Sequence, residues 1–172
     1  TPAEGDPLIS YTSIEDSPFF GDGVACHALE TFPGGVAETP GWSFTPGASI
    51  VEATPGNWVL QQSQFGTITL NFAPDDDGNY PTQVGFAWTG GISDGLGQVR
   101  LDVVSGGTQS ASRTWTDLPP NPPDDPDSNL FFGVTWANGL QQVRITFNPF
   151  FGIPNQIDDI QFSVETNVTG IT

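Results

Sequence analysis

Thr67-Ile-Thr-Leu-Asn-Phe72, Gln83-Val-Gly-Phe-Ala-Trp88 and Gln142-Val-Arg-Ile-Thr-Phe147 alternate apolar and polar residues. A period of two sends successive side chains to opposite faces, so each stretch reads as a β-strand with one face buried. Working outward, the same parity appears in Trp58 and Leu60, in Val99, Leu101 and Val103, in Phe132, Val134 and Trp136, and in Ile160, Phe162 and Val164. Toward the N-terminus the pattern predicts a first strand from Leu8 to Ile14, followed by turn residues at Asp16-Ser-Pro18 and Gly21-Asp-Gly23. Cys26 to Phe32 makes a second apolar segment, with short β-like pieces at Gly41 to Phe44 and Ser49 to Ala53. Asp117 to Asp127 holds so many prolines that it reads as an extended acidic loop. Ala137-Asn-Gly139, between two alternating runs, predicts a β-hairpin. No segment carries a helical repeat with caps. The expectation is an all-β, antiparallel β-sandwich, divided into an N-terminal strand segment (1–14), the sandwich (15–165) and a C-terminal tail (166–172).

The 172 residues suffice for one domain with a core that needs no disulfide or metal. Twenty acidic residues stand against three arginines and no lysine, a formal net charge of −17. Nucleic acid and anionic membrane are thereby disfavoured as partners, because both are bound through clustered basic side chains. A divalent cation or a neutral polymer suits such a surface. Cys26 is the only cysteine, so no intramolecular disulfide forms, and it reads as a small buried hydrophobe. No apolar span is long enough to cross a bilayer as a helix. Abundant Gly, Pro, Thr and Ser without Lys or Met resembles secreted surface proteins, and a chain starting at Thr1 reads as the product of signal-peptide removal. The expected location is extracellular or at the cell surface.

Glu15-Asp-Ser-Pro-Phe19, Leu29-Glu-Thr-Phe32 followed by Thr39-Pro-Gly41, Val84-Gly-Phe-Ala-Trp-Thr-Gly90, Phe131-Phe-Gly-Val134 and Ile157-Asp-Asp-Ile-Gln-Phe162 occur in this order. Together they resemble the secreted bacterial exoproteins that carry a Pro-Glu-Pro C-terminal sorting signal (PEP-CTERM proteins). The resemblance implies a jelly-roll type of β-sandwich, exported to the cell surface or matrix, with no established enzymatic activity. The sorting tail itself is not among the 172 residues.

Catalytic chemistry finds little footing. His27 is the only histidine and no Gly-x-Ser-x-Gly elbow accompanies it. A Cys26-His27 zinc site lacks further obvious ligands. The expectation is that the chain is not an enzyme.

Calcium has two candidate places. Asp75, Asp77 and Asn79 have the spacing of an oxygen-ligand loop, but Tyr80 and Phe86 stand where an EF-hand needs Gly and Glu, so a plain polar turn is the competing reading. Asp158 shares the parity of Ile160 and Phe162 and is expected to point to the core side, where an inward carboxylate needs compensation. By analogy with calcium-bearing jelly-roll carbohydrate modules, Glu30 and Asp158 share one ion; the competing reading is strand-end polarity that reaches solvent. For glycan stacking, Trp42 and Trp115, flanked by Gly, Ser and Thr, are the candidates for exposed rings, whereas Trp88 and Trp136 share core parity.

Three functions are ordered on these grounds. First stands a non-enzymatic secreted structural protein, a homopolymer assembled into an extracellular filament or matrix by β-strand addition. Its first-choice donor is Pro7 to Ile14, with Leu8, Ile9, Ser10, Tyr11, Thr12 and Ile14 as the assembly strand and the tail Val164 to Thr172 as the fallback donor; an ordinary strand paired within its own domain is the alternative. Second is a calcium-stabilised carbohydrate-binding or adhesive module, with glycans as partners. A hydrolase comes third.

Overall fold

In a computed structural model of the chain, the described residues are 7–19, 27–45, 47–62, 67–90, 97–118, 130–147 and 155–163. Cys26, Val164, most of the proline-rich acidic loop and the C-terminal tail lie outside them. The strands are β1 (Leu8–Tyr11), β2 (His27–Glu30), β3 (Trp42–Phe44), β4 (Ala48–Thr54), β5 (Asn57–Gln62), β6 (Thr67–Phe72), β7 (Gln83–Gly90), β8 (Gly97–Ser105), β9 (Thr108–Leu118), β10 (Leu130–Thr135), β11 (Gln142–Phe147) and β12 (Asn155–Ser163). They form two antiparallel sheets. One has seven strands in the order β1-β10-β7-β12-β5-β4, with β2 beside β5 on the same flank of β12; the other has five, β3-β6-β11-β8-β9. The chain crosses between the sheets again and again, and the result is a jelly-roll-like β-sandwich. Among the described residues no helix is long and apolar enough to cross a membrane.

The period of two decides what fills the space between the sheets. Val84, Phe86 and Trp88 of β7, Phe132 and Val134 of β10, and Ile157, Ile160 and Phe162 of β12 face Ile68, Leu70 and Phe72 of β6, Val99, Leu101 and Val103 of β8, and Val143 and Ile145 of β11 in one buried cluster. Phe72 and Phe162 meet across the sandwich with ring centroids 5.4 Å apart. Each such buried side chain contributes about 1.5–3 kcal/mol of transfer free energy. The outer face of the five-stranded sheet is polar. There Arg144 donates to Gln142 Oε1, and Arg100 pairs with Asp102 at 3.0 Å.

Three expectations change at this level. The Asn138-Gly139 turn does not close a hairpin: β10 belongs to the seven-stranded sheet and β11 to the five-stranded one. Gly139 does adopt a positive φ of 92°. The connection then runs on through Leu140, which is fully buried, and Leu140 N–H donates to Pro81 O while Gln141 N–H donates to Val104 O. Such a connection spans the roughly 10 Å between layers, which a two-residue hairpin loop does not.

The expected donor strand is seated in its own sheet, with Leu8 opposite Val134 and Tyr11 opposite Phe131. Leu8 is part of the core and Ile9 is buried. The strand ends at Tyr11, and Ile14–Asp16 form a 3₁₀ turn whose first N–H groups need a cap, which the Ser13 hydroxyl supplies to Asp16 N–H.

The third change concerns β12. Its pairing with β7 shifts register between Asp158 and Gln161. That irregularity inserts one residue, Asp159 at φ 48°, so Ile157 and Ile160 both face the core although their numbers differ in parity. Asp158, opposite Ala87, therefore lies on the outer face of the sheet.

Candidate functional site

Two crossovers between the sheets meet at one edge of the sandwich. The first joins β2 to β3. At its root Glu30 sits opposite Ile160 and is buried, and its carboxylate accepts N–H groups from Phe32 at 2.9 Å, Glu38 at 2.9 Å and Thr39 at 2.7 Å. Three charge-assisted bonds gather residues 32–39 around one side chain. They help hold Phe32 in a left-handed conformation, φ 55°, that a phenylalanine adopts only under constraint. Gly35 follows, close under the Trp58 indole: a Cβ there would lie 2.9 Å from Cζ3.

The second crossover joins β6 to β7. Asp75 Oδ1 accepts N–H groups from Asp77 at 2.9 Å and Asn79 at 2.8 Å, and Asp75 N–H donates to Asn79 O at 2.8 Å. This is a self-closed Asx turn, so its lead carboxylate oxygen is already used by the backbone.

Between the two crossovers lies an open cleft of about 810 Å³. Its walls carry Leu29, Glu38, Pro40, Pro74, Asp75, Asp76, Asn79, Tyr80 and Pro81, with Phe162 and Ser163 at the end of β12. Leu29 is 37 % exposed, one of two large hydrophobic side chains so exposed among the described residues. His27 lies in the wall, and its Nε2 is 2.7 Å from Gln83 Oε1. Burial lowers its pKa and so favours the neutral ring, against the opposing pull of the Gln83 contact. The cleft thus combines apolar surface with carboxylate and amide groups that accept hydroxyl hydrogens. Neither Tyr80 nor Leu29 was marked by the sequence, since nothing in its order says that these positions converge.

The other sequence candidates are dispersed. Glu30, expected beside Asp158 on one ion, has its carboxylate turned to three backbone N–H groups, while the β12 irregularity puts Asp158 on the opposite face. They still feel each other: burial pushes the Asp158 carboxyl up to about 8, with the charges of Asp159 and then Glu30 adding to it. Asp77 and Asn79 are exposed on their turn. Among the described residues no three His, Cys, Asp or Glu side chains gather as a metal centre.

Trp42 and Trp115, expected as exposed rings, are both partly buried against the core. Trp42 packs edge-on to Phe32 at 6.0 Å, and Trp115 lies 4.9 Å from Phe132 with the Arg113 guanidinium over its ring. Both follow from strand parity: Trp42 alternates with Ser43, and Trp115 is opposite the core residue Val99.

No protein-family model matches the chain, and no curated protein matches it. Solved structures do. A family 29 carbohydrate-binding module from Piromyces equi aligns over 83 % of this chain and 92 % of its own, with a TM-score of 0.50 and 10 % identity. A mutant of a second family 29 module covers 80 % of this chain and 89 % of its own, with a TM-score of 0.48 and 11 % identity. The likeness is one of fold.

Proposed function

We propose that the chain is a non-catalytic carbohydrate-binding module whose edge cleft holds a neutral saccharide. The observation that carries this reading is the cleft of about 810 Å³ in which Tyr80 and Leu29 lie among Glu38, Asp75, Asp76 and Asn79. An aromatic face and aliphatic surface take the C–H side of a sugar ring, while carboxylates and amides accept its hydroxyls. The acidic wall repels uronates and sulfated glycans and leaves neutral ones as the chemical class. Likeness of fold to the Piromyces equi module supports the reading. The polar outer face of the five-stranded sheet presents Thr67, Thr69, Asn71, Gln142, Arg144 and Thr146 without an aromatic side chain among them. An extracellular setting, expected from composition, is where such a module meets polysaccharide.

The filament reading named Pro7 to Ile14 as its first donor, and the pairing of β1 with β10 inside the chain removes that segment's support; the fallback donor, Val164 to Thr172, lies outside the described residues. Titration calorimetry and affinity electrophoresis with neutral polysaccharides (β-glucan, mannan, β-1,4-galactan) and acidic ones (polygalacturonate) test the proposal. Binding to a neutral polymer that Tyr80→Ala weakens is expected. Binding confined to acidic polymers, or a neutral ligand indifferent to Tyr80, overturns it.

A further inference from the structure

Tyr80 is half-buried in the cleft wall, and its main chain is fixed from both sides. Before it, Asp75 N–H donates to Asn79 O at 2.8 Å and closes the Asx turn. After it, three bonds hold the next two residues. Leu140 N–H donates to Pro81 O and Trp136 N–H to Thr82 O, both at 2.8 Å, while Thr82 N–H donates to Ser163 Oγ at 3.0 Å. Leu140 is fully buried and Trp136 packs on the core, so the β10–β11 crossover is a rooted clamp.

Gly139 sits inside that clamp, buried, with a φ of 92°. A Cβ built on it would lie 2.9 Å from Tyr80 Cβ and 3.6 Å from Tyr80 Cα and O. Two carbons rest at about 3.5–4.0 Å, so one of them must retreat by roughly 0.6–1.1 Å. Turning the tyrosine ring gives no relief, because its Cβ moves only with the main chain. Leu140 anchors the crossover in the core, whereas Asp76 to Asn79 are exposed, and the Tyr80 side therefore yields. Trp136, Gly139 and Leu140 themselves do not line the cleft.

We propose that Gly139 is the positioning residue for Tyr80 in saccharide binding, a role that rests on the cleft being a saccharide site. Bare at Cα, it lets the crossover press against the Tyr80 main chain and set the ring before a ligand arrives. A ring fixed in advance loses less freedom on binding. A binding constellation tolerates displacements of only about 0.5 Å, less than an added methyl imposes here. The β10–β11 crossover thus governs affinity from outside the cleft.

Two measurements test this. The chain has two tyrosines, Tyr11 and Tyr80, so labelling with 3-fluorotyrosine gives two fluorine resonances, assigned with Tyr80→Phe. Gly139→Ala is expected to shift the Tyr80 resonance and leave that of Tyr11 in place. In calorimetric titration with whichever of β-glucan, mannan and β-1,4-galactan the wild type binds, Gly139→Ala weakens binding by about tenfold. In the Tyr80→Ala background it weakens binding no further, yet it lowers the melting temperature equally in both backgrounds, because alanine keeps the Cβ at position 80. Gly56→Ala is the control for backbone strain: its φ is 82° and a Cβ there meets nothing within 4 Å, so stability falls and affinity holds. Where Gly139→Ala folds poorly, Gly139→Asn keeps the Cβ contact with a side chain that tolerates a left-handed backbone. An unmoved Tyr80 resonance in a folded Gly139 variant overturns the positioning role whatever the ligand. Wild-type affinity in that variant, beside a Tyr80→Ala that binds weakly, overturns it too and leaves the saccharide site standing. A Tyr80→Ala that binds like wild type overturns the saccharide site and the role of Gly139 with it.

Discussion

The Phe19 ring lies over Gly133 so closely that a Cβ on that glycine would overlap it. Gly133 pairs with Gly85 across β10 and β7, and the two bare positions form a notch that Phe19, 1 % exposed, fills. Two residues earlier, Ser17 donates to Gln161 Oε1 at 2.6 Å. The fragments Glu15–Phe19, Val84–Gly90, Phe131–Val134 and Ile157–Phe162, far apart in the chain, thus meet on one outer face. Gly133→Ala is expected to cost about 1–3 kcal/mol by overpacking, and Phe19→Ala about 3–5 kcal/mol by leaving the notch empty. In urea denaturation the double variant should lose less than the sum, because the alanine methyl then grows into space that Phe19 has vacated.

Glu30 gathers three backbone N–H groups, and a neutral amide in its place retains acceptor capacity at only one atom. Glu30→Gln is therefore expected to lower stability by about 1.5–3 kcal/mol. Because Glu38 and Thr39 hang from this carboxylate and line the cleft, saccharide affinity should fall with it. Unchanged melting and unchanged binding would remove Glu30 from its role as the clasp.

His27 has a folded-state pKa below its ordinary 6.5. Below about pH 6.5 the unfolded chain takes up the proton first, so stability rises with pH in that window. The contribution is complete above 6.5 and is lost as pH falls toward the lower, folded-state value. Comparing wild type with His27→Gln at pH 7.5 and 5.5 isolates this ring from the carboxylates. The wild type should lose more on acidification than the variant, and an equal loss contradicts the linkage. The ring is half-buried, so solvent screening keeps the difference small.

Tyr80→Ala is expected to weaken binding of a neutral polysaccharide by about tenfold or more, the scale of losing an aromatic contact to a sugar face. Asn79→Ala, which removes an amide on the same loop and leaves the Asx turn of Asp75 in place, should cost less. Circular dichroism of both variants separates lost binding from lost folding.

Strand identity was legible because alternation is a local property: Val84, Phe86 and Trp88 face inward wherever their strand is placed, as do Val143 and Ile145. Net charge of −17 likewise limits partners without any fold. Which strands pair was not legible. Asn138-Gly139 has the chemistry of a tight turn, yet whether the chain returns beside itself or crosses to the facing sheet depends on Leu140 finding room in the core. The face of Asp158 depended on one inserted residue, Asp159, which resets parity only when β12 is laid against β7. Trp42 and Trp115 look exposed among their polar neighbours because those neighbours occupy the other face of the same strands. Glu30 reads as any acid until Phe32, Glu38 and Thr39 fold back onto it. Composition and periodicity are summed along the chain and so belong to the sequence. The cleft and the glycine notch arise from contacts between residues far apart in the chain, and only the tertiary structure sets those contacts.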